Sequence, residues 1–111
     1  MSIKKVSPES LCKKIADQEG ILLLDVRTEK KYQSYHINSS KVDCLNLPKE
    51  HIFNLEKEQE STIPLDTDKE IVVICTTGNS ALKCANILSQ LGHRVEVLNG
   101  GITAWREFMN E

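Results

Sequence analysis

Two stretches of the chain carry neither a polar residue nor any alternation: Ile21-Leu22-Leu23-Leu24, which runs on into Asp25-Val26, and Ile71-Val72-Val73-Ile74. A strand with one wet face alternates apolar and polar positions, so unbroken runs predict strands buried on both faces, as in a parallel sheet covered by helices. Helical spacing appears between them. Leu11, Cys12, Ile15 and Ala16 share one face after Ser7-Pro8-Glu9, where Ser7 suits an N-cap and Pro8 the first helical position, and Gly20 follows the end. Thr28 and Glu29 open a short helix to about Tyr35. Val42 to Leu47 reads as a short strand stopped by Pro48, and His51 to Glu58 as a helix turning Ile52 and Leu55 inward. Residues 61–69, with Pro64, read as a loop. Ser80 to Leu91 is predicted as a helix with Ala81, Cys84, Ala85 and Leu88 on its inner face and Gly92 as its stop. Arg94 to Leu98 alternates, as a strand nearer an edge does, and beyond Gly100-Gly101 a last helix places Ile102, Trp105 and Met109 on one face. Strands alternating with helices, without repeat or linker, predict one α/β domain over residues 1–111 with a mostly parallel sheet.

Composition narrows the partners. With 14 basic and 16 acidic residues the net charge is −2, and no basic stripe interrupts the balance, which argues against nucleic acid as a partner. The acidic residues between Glu50 and Glu70 read as a solvated surface. No apolar run approaches the ~20 residues of a membrane helix, and Met1-Ser2-Ile3-Lys4-Lys5 does not open a secretory signal, so a cytoplasmic, membrane-free protein is expected. Four cysteines in such a compartment are expected to be reduced. They form no C-x-x-C, and His36, His51 and His93 stand apart from them, so neither a metal site nor a cofactor is expected.

One cysteine differs from the others in its setting. Cys75 ends a buried strand and is followed by Thr76-Thr77-Gly78-Asn79 and then by a helix near Ser80. Ligands of open parallel sheets gather beyond the carboxyl ends of the strands, and a strand–loop–helix turn there aims backbone N–H groups at an anion. Gly78 permits a backbone conformation closed to most residues, and Asn79 tolerates left-handed angles. A thiolate at that helix amino terminus is expected to have a depressed pKa and to be reactive. The alternative is a cysteine that only packs at a strand end. Cys84, on an inward helix face, Cys12 and Cys44 read as structural.

These pieces, in this order, resemble the rhodanese-like domain family. Leu22-Leu23-Leu24-Asp25-Val26-Arg27 is similar to the family's strand ending in Asp-Val-Arg, and Tyr32 with His36-Ile37 to the segment after it. Cys75-Thr76-Thr77-Gly78-Asn79-Ser80 resembles the loop Cys-x-x-Gly-x-Ser, and Gly100-Gly101-Ile102-Thr103-Ala104-Trp105 the closing Gly-Gly-x-x-x-Trp. The resemblance implies a five-stranded parallel sheet flanked by helices and a sulfurtransferase. Cys75 would take a sulfane sulfur from thiosulfate or a low-molecular-weight persulfide, hold it as a persulfide, and yield it to a thiol, cyanide or protein acceptor. The resemblance also implies that Thr76, Thr77, Gly78, Asn79 and Ser80 bind the substrate and the persulfide, while Asp25 and Arg27 brace the loop. The alternative within the family is a non-catalytic regulatory or interaction module. Three departures matter: Tyr35 stands where relatives usually carry glycine, the chain from His36 to Pro48 is longer than the usual connection, and no Lys or Arg lies between Cys75 and Leu82, where many relatives place an arginine. The neutral loop predicts weak thiosulfate binding relative to a persulfide donor, unless a basic residue enters from elsewhere in the chain. A phosphatase related to the same fold would need a loop arginine that is missing here.

Overall fold

The computed structural model describes residues 3–17, 20–58 and 69–111, without the side chains of residues 55–58. Its elements run β1 (Lys4–Val6), α1 (Pro8–Ala16), β2 (Ile21–Asp25), α2 (Glu29–Ser34), β3 (Asp43–Asn46), α3 (Lys49–Glu58), β4 (Glu70–Ile74), α4 (Asn79–Gln90), β5 (Arg94–Leu98) and α5 (Gly101–Met109). The five strands form one sheet in the order β1-β5-β4-β2-β3, and every pairing is parallel. The fully apolar runs of β2 and β4 are adjacent at its centre, with Leu22 opposite Ile71 and Leu24 opposite Val73.

Side chains alternate across the strands and so divide the core in two. Leu22, Leu24, Ile71, Val73, Cys75 and Val97 pack on one face with Ile52 of α3 and with Ala81, Cys84, Ala85 and Leu88 of α4. Ile21, Leu23, Val72, Ile74 and Leu98 pack on the other with Leu11, Ile102 and Trp105 of α1 and α5. The helix starts follow the local chemistry. Ser7 Oγ accepts from the Ser10 amide at 3.1 Å, and Thr28 Oγ1 from the Lys31 amide at 3.3 Å.

The structure adds one strand to this reading and corrects two of its details. Strand β1 carries only three residues and too little pattern to be read, yet it takes the sheet edge and leaves β5 one strand in. That is why Glu96, the polar position of an alternating strand, is buried: Lys14 of α1 closes over it at 3.3 Å, and Lys4 of β1 lies at 3.6 Å. Met109 does not join Ile102 and Trp105 in the core but lies exposed in the last turn of α5, next to the exposed Phe108. Helix α3 begins at Lys49 rather than His51, directly after Pro48. The Leu55 side chain and residues 61–68 of the expected loop lie outside the described residues.

Candidate active site

The period of β4 decides where the Cys75 sulfur goes. Continuing the alternation of Ile71 and Val73 turns Cys75 to the α4 face, directly under the amino end of that helix. Its Sγ accepts two backbone amides, from Gly78 at 2.9 Å and from Ala81 at 3.3 Å. Gly78 adopts φ +105°, a left-handed conformation that returns the chain toward the sulfur and opens α4. The expected freedom of Asn79 is not used: it has ordinary φ and is the exposed first residue of α4.

The loop is tied down from below by the second glycine motif. Ile102 N–H donates to the Cys75 carbonyl at 2.9 Å and Thr103 N–H to the Thr76 carbonyl at 3.1 Å. These contacts bring backbone against backbone at Gly101, where a Cβ would stand 2.4 Å from the Cys75 oxygen and 2.5 Å from that of Thr76. Gly101 is therefore required by close approach as well as by its φ of +61°.

On the opposite side, Asp25 and Arg27 form a buried, forked ion pair. Arg27 Nε lies 3.0 and 3.1 Å from the two Asp25 oxygens and Nη2 lies 2.8 Å from Oδ2, with the two side chains 7% and 5% exposed. Nη2 also donates to the Tyr35 carbonyl at 2.6 Å, and Asn46 Nδ2 donates to the carbonyls of Asp25 and Arg27 at 3.0 Å each. Tyr35 thus contributes its carbonyl, while its ring lies 4.6 Å under the Arg106 guanidinium.

Between these walls is a cavity of about 140 Å³ lined by Val26, Arg27, Thr28, Lys31, Lys49, Glu50, Cys75, Thr76, Thr77 and Ser80. Of the residues expected to bind substrate, Thr76, Thr77 and Ser80 line it, Gly78 reaches the sulfur through its amide, and Asn79 does neither. The neutral surroundings expected from the loop are corrected here, because Arg27, Lys31 and Lys49 bring positive charge from three other segments. The Ala81 amide, Lys31 and Lys49 are the contributions that sequence reasoning missed. Lys49 had a readable signal: it follows Pro48, which stops β3, and the carboxyl end of every strand in a parallel sheet lies on the Cys75 edge.

Beneath Cys75, Cys84 is fully buried, and burial first, then the neighbouring Cys75, pushes its thiol up to about 12. It stays protonated at neutral pH and behaves as core. Burial likewise raises Cys44, whose thiol donates to the Ile37 carbonyl at 3.6 Å. Among the described residues no cluster of His, Cys, Asp or Glu could hold a metal ion, and no helix is long and apolar enough to cross a membrane.

A sulfurtransferase of Allochromatium vinosum is 36% identical over 104 residues, spanning 93% of this chain and 88% of that protein. The thiosulfate sulfurtransferase GlpE of Pseudoalteromonas translucida is 30% identical over 98 residues, 87% of this chain and 84% of its own length. Among solved structures, a rhodanese-related protein from Thermoplasma volcanium superposes with a TM-score of 0.74 at 27% identity, covering 95% of this chain and 92% of that one. The family model for the rhodanese-like domain matches residues 7–108. A parallel five-stranded sheet that sets a cysteine under a helix amino end is thus accounted for by descent as well as by physics: the chain belongs to the rhodanese-like domain family.

Proposed function

We propose that the protein is a sulfurtransferase that carries a sulfane sulfur on Cys75. The observation behind this reading is the Cys75 sulfur at the wall of a solvent-reached cavity with two amides, of Gly78 and Ala81, directed at it. Amides already directed at a sulfur need no reorganisation when charge moves onto it in the transition state. In the first half-reaction the Cys75 thiolate attacks the sulfane sulfur of thiosulfate or a small persulfide. A new S–S bond forms, the donor's S–S bond breaks, and its electron pair leaves with sulfite or with the donor thiol. In the second half-reaction a thiol or cyanide attacks the outer sulfur and restores the Cys75 thiolate, so ping-pong kinetics follow. Thr76, Thr77 and Ser80 supply hydroxyls around the transferred atom, and the Asp25–Arg27 pair holds the opposite wall. Relatives named thiosulfate sulfurtransferase support thiosulfate as one donor.

Intact-mass measurement after exposure to thiosulfate or glutathione persulfide tests the reading. The wild type is expected to gain one sulfur atom, removable by cyanide, and Cys75→Ala to gain none while folding normally. A wild type that takes up no sulfur from either donor would refute the assignment and leave an interaction module.

A further inference from the structure

The cavity beside Cys75 contains more positive charge than its loop can explain. Its two lysines come from different helices: Lys31 from α2, exposed, and Lys49 from the first position of α3, half-buried. Lys49 is held in place through its backbone, whose N–H donates to the Val26 carbonyl at 2.9 Å, one residue beyond the end of β2. The third cation of the wall, Arg27, is already committed to Asp25. Among the described residues no carboxylate forms an ion pair with Lys31 or Lys49, although Glu50 lines the same cavity. Besides the Arg27–Asp25 pair, two lysines against one glutamate give the lining a net positive charge, and about 140 Å³ admits a small ion rather than a drug-sized molecule.

We infer that Lys49, assisted by Lys31, forms the anion-binding subsite for the donor's leaving group, and so sets the preference for small sulfane donors whose far end bears an oxyanion or carboxylate. The inference rests on the sulfurtransferase reading for the word donor, but not for the anion site itself. In the thiolate attack the donor's S–S electron pair departs with the leaving group, which gains negative charge while a second anion, the Cys75 persulfide, remains on the protein. Attraction from lysines across the cavity offsets the repulsion between the two. Relatives can place that charge in the loop itself; here it is recruited from the carboxyl end of a neighbouring strand, and Thr76 and Thr77 remain neutral. Lys49 is a specificity-determining residue rather than a nucleophile or proton donor.

The test compares two alkylating reagents and then turnover. Iodoacetate carries the carboxylate that the site is built to receive, whereas iodoacetamide has similar shape and no charge. Any change in the Cys75 thiolate population alters both rates alike and cancels in their ratio. Lys49→Gln is expected to lower the iodoacetate-to-iodoacetamide rate ratio at Cys75 about three- to tenfold at low salt, with Lys49→Arg retaining it and Lys30→Gln, on the exposed side of α2, leaving it unchanged. The difference should shrink as salt is added. In turnover, Lys49→Gln should raise the thiosulfate KM about tenfold while leaving the cyanide-dependent discharge of preformed persulfide within twofold. An unchanged reagent ratio overturns the inference, whatever the enzyme does with thiosulfate. A lowered ratio with an unchanged KM overturns the donor assignment. A lowered ratio in a protein that never takes up sulfur refutes the sulfurtransferase reading and leaves the anion site standing.

Discussion

Gly101→Ala separates the strain of a left-handed backbone from the cost of blocking a close approach, because Gly20 provides a matched control. Gly20 has φ +67° and nothing within 4 Å of where a Cβ would stand; Gly101 has φ +61°, with the Cys75 oxygen at 2.4 Å and the Thr76 carbonyl oxygen and carbon at 2.5 and 2.6 Å. A left-handed L-residue costs about 1–2 kcal/mol, and Ala recovers roughly 0.4–1 kcal/mol by restricting the unfolded chain. Gly20→Ala should therefore lose only about 1 kcal/mol. At Gly101 the obstructing atoms are backbone, which cannot rotate away as a side chain would. Either α5 or the active-site loop must retreat, and both Ile102 N–H to Cys75 O and Thr103 N–H to Thr76 O are then lost. Two hydrogen bonds at about 0.5–1.5 kcal/mol each, added to the same net strain of about 1 kcal/mol, give a loss of roughly 2–4 kcal/mol.

For a domain of this size that corresponds to a fall in Tm of at least about 8 °C, against roughly 4–8 °C for the Gly20 variant. Stability and function should also separate. Gly20→Ala, far from the cavity, should take up sulfur on Cys75 at the wild-type rate. Gly101→Ala should be slow even well below its Tm, because the carbonyls of Cys75 and Thr76 have lost the contacts that orient the loop. Urea unfolding with intact-mass kinetics on the two variants is sufficient. Equal stabilities, or full sulfur uptake by Gly101→Ala, would refute the reasoning.

Arg27→Lys should reduce sulfur transfer and cost a few kcal/mol, since an ammonium cannot reproduce the fork on Asp25 together with the bond to the Tyr35 carbonyl; Asp25→Ala, which strands a buried guanidinium, should cost about 3–5 kcal/mol by urea unfolding. Cys84→Ser should destabilise by roughly 1–3 kcal/mol through a buried hydroxyl, and native Cys84, with its thiol pushed up to about 12, should resist iodoacetamide at neutral pH until the chain unfolds. His93 is buried, its Nδ1 has no hydrogen-bond partner among the described residues, and burial lowers its pKa below the unfolded value of about 6.5. The unfolded chain therefore binds the proton first, and stability should fall as pH drops from about 6.5 through the lower folded value. His93→Phe should flatten that part of the stability–pH curve.

The central sheet was legible because its chemistry is local: β-branched and aliphatic runs such as Ile71 to Ile74 have no other place in a small domain than between two helical layers. The same holds for the helix starts at Ser7 and Thr28, where one side-chain oxygen meets one amide three residues on. What escaped depends on long-range partners. Lys4-Lys5-Val6 is a strand only because β5 offers it an edge, in register with Glu96, Val97 and Leu98. The glycine pair 100–101 could be read as a turn, but the need for Gly101 lies in the carbonyls of Cys75 and Thr76, some 25 positions earlier in the chain and visible only when α5 is docked. The positive wall of the cavity was missed for the same reason. The residues beside Cys75 in sequence are neutral, whereas a parallel sheet collects the ends of all its strands on one edge, and Lys49 arrives there by way of β3.

That edge also explains why the loop suits sulfur better than phosphate. A loop built around a tetrahedral oxyanion directs its amides at several oxygens and closes with an arginine. Here two amides, of Gly78 and Ala81, already end on the single sulfur atom. The next arginine after Cys75 is Arg94, and it begins β5 in register with Glu70, at the amino edge of the sheet. A strand of five residues rises about 13–16 Å, so Arg94 faces the wrong end of the domain to serve Cys75. The two amides are concentrated on one atom at the cavity wall, and Lys31 and Lys49 line the same cavity. In the proposed persulfide the inner sulfur would keep the two amides and the outer sulfur would face the cavity, where a donor's charge can arrive and depart.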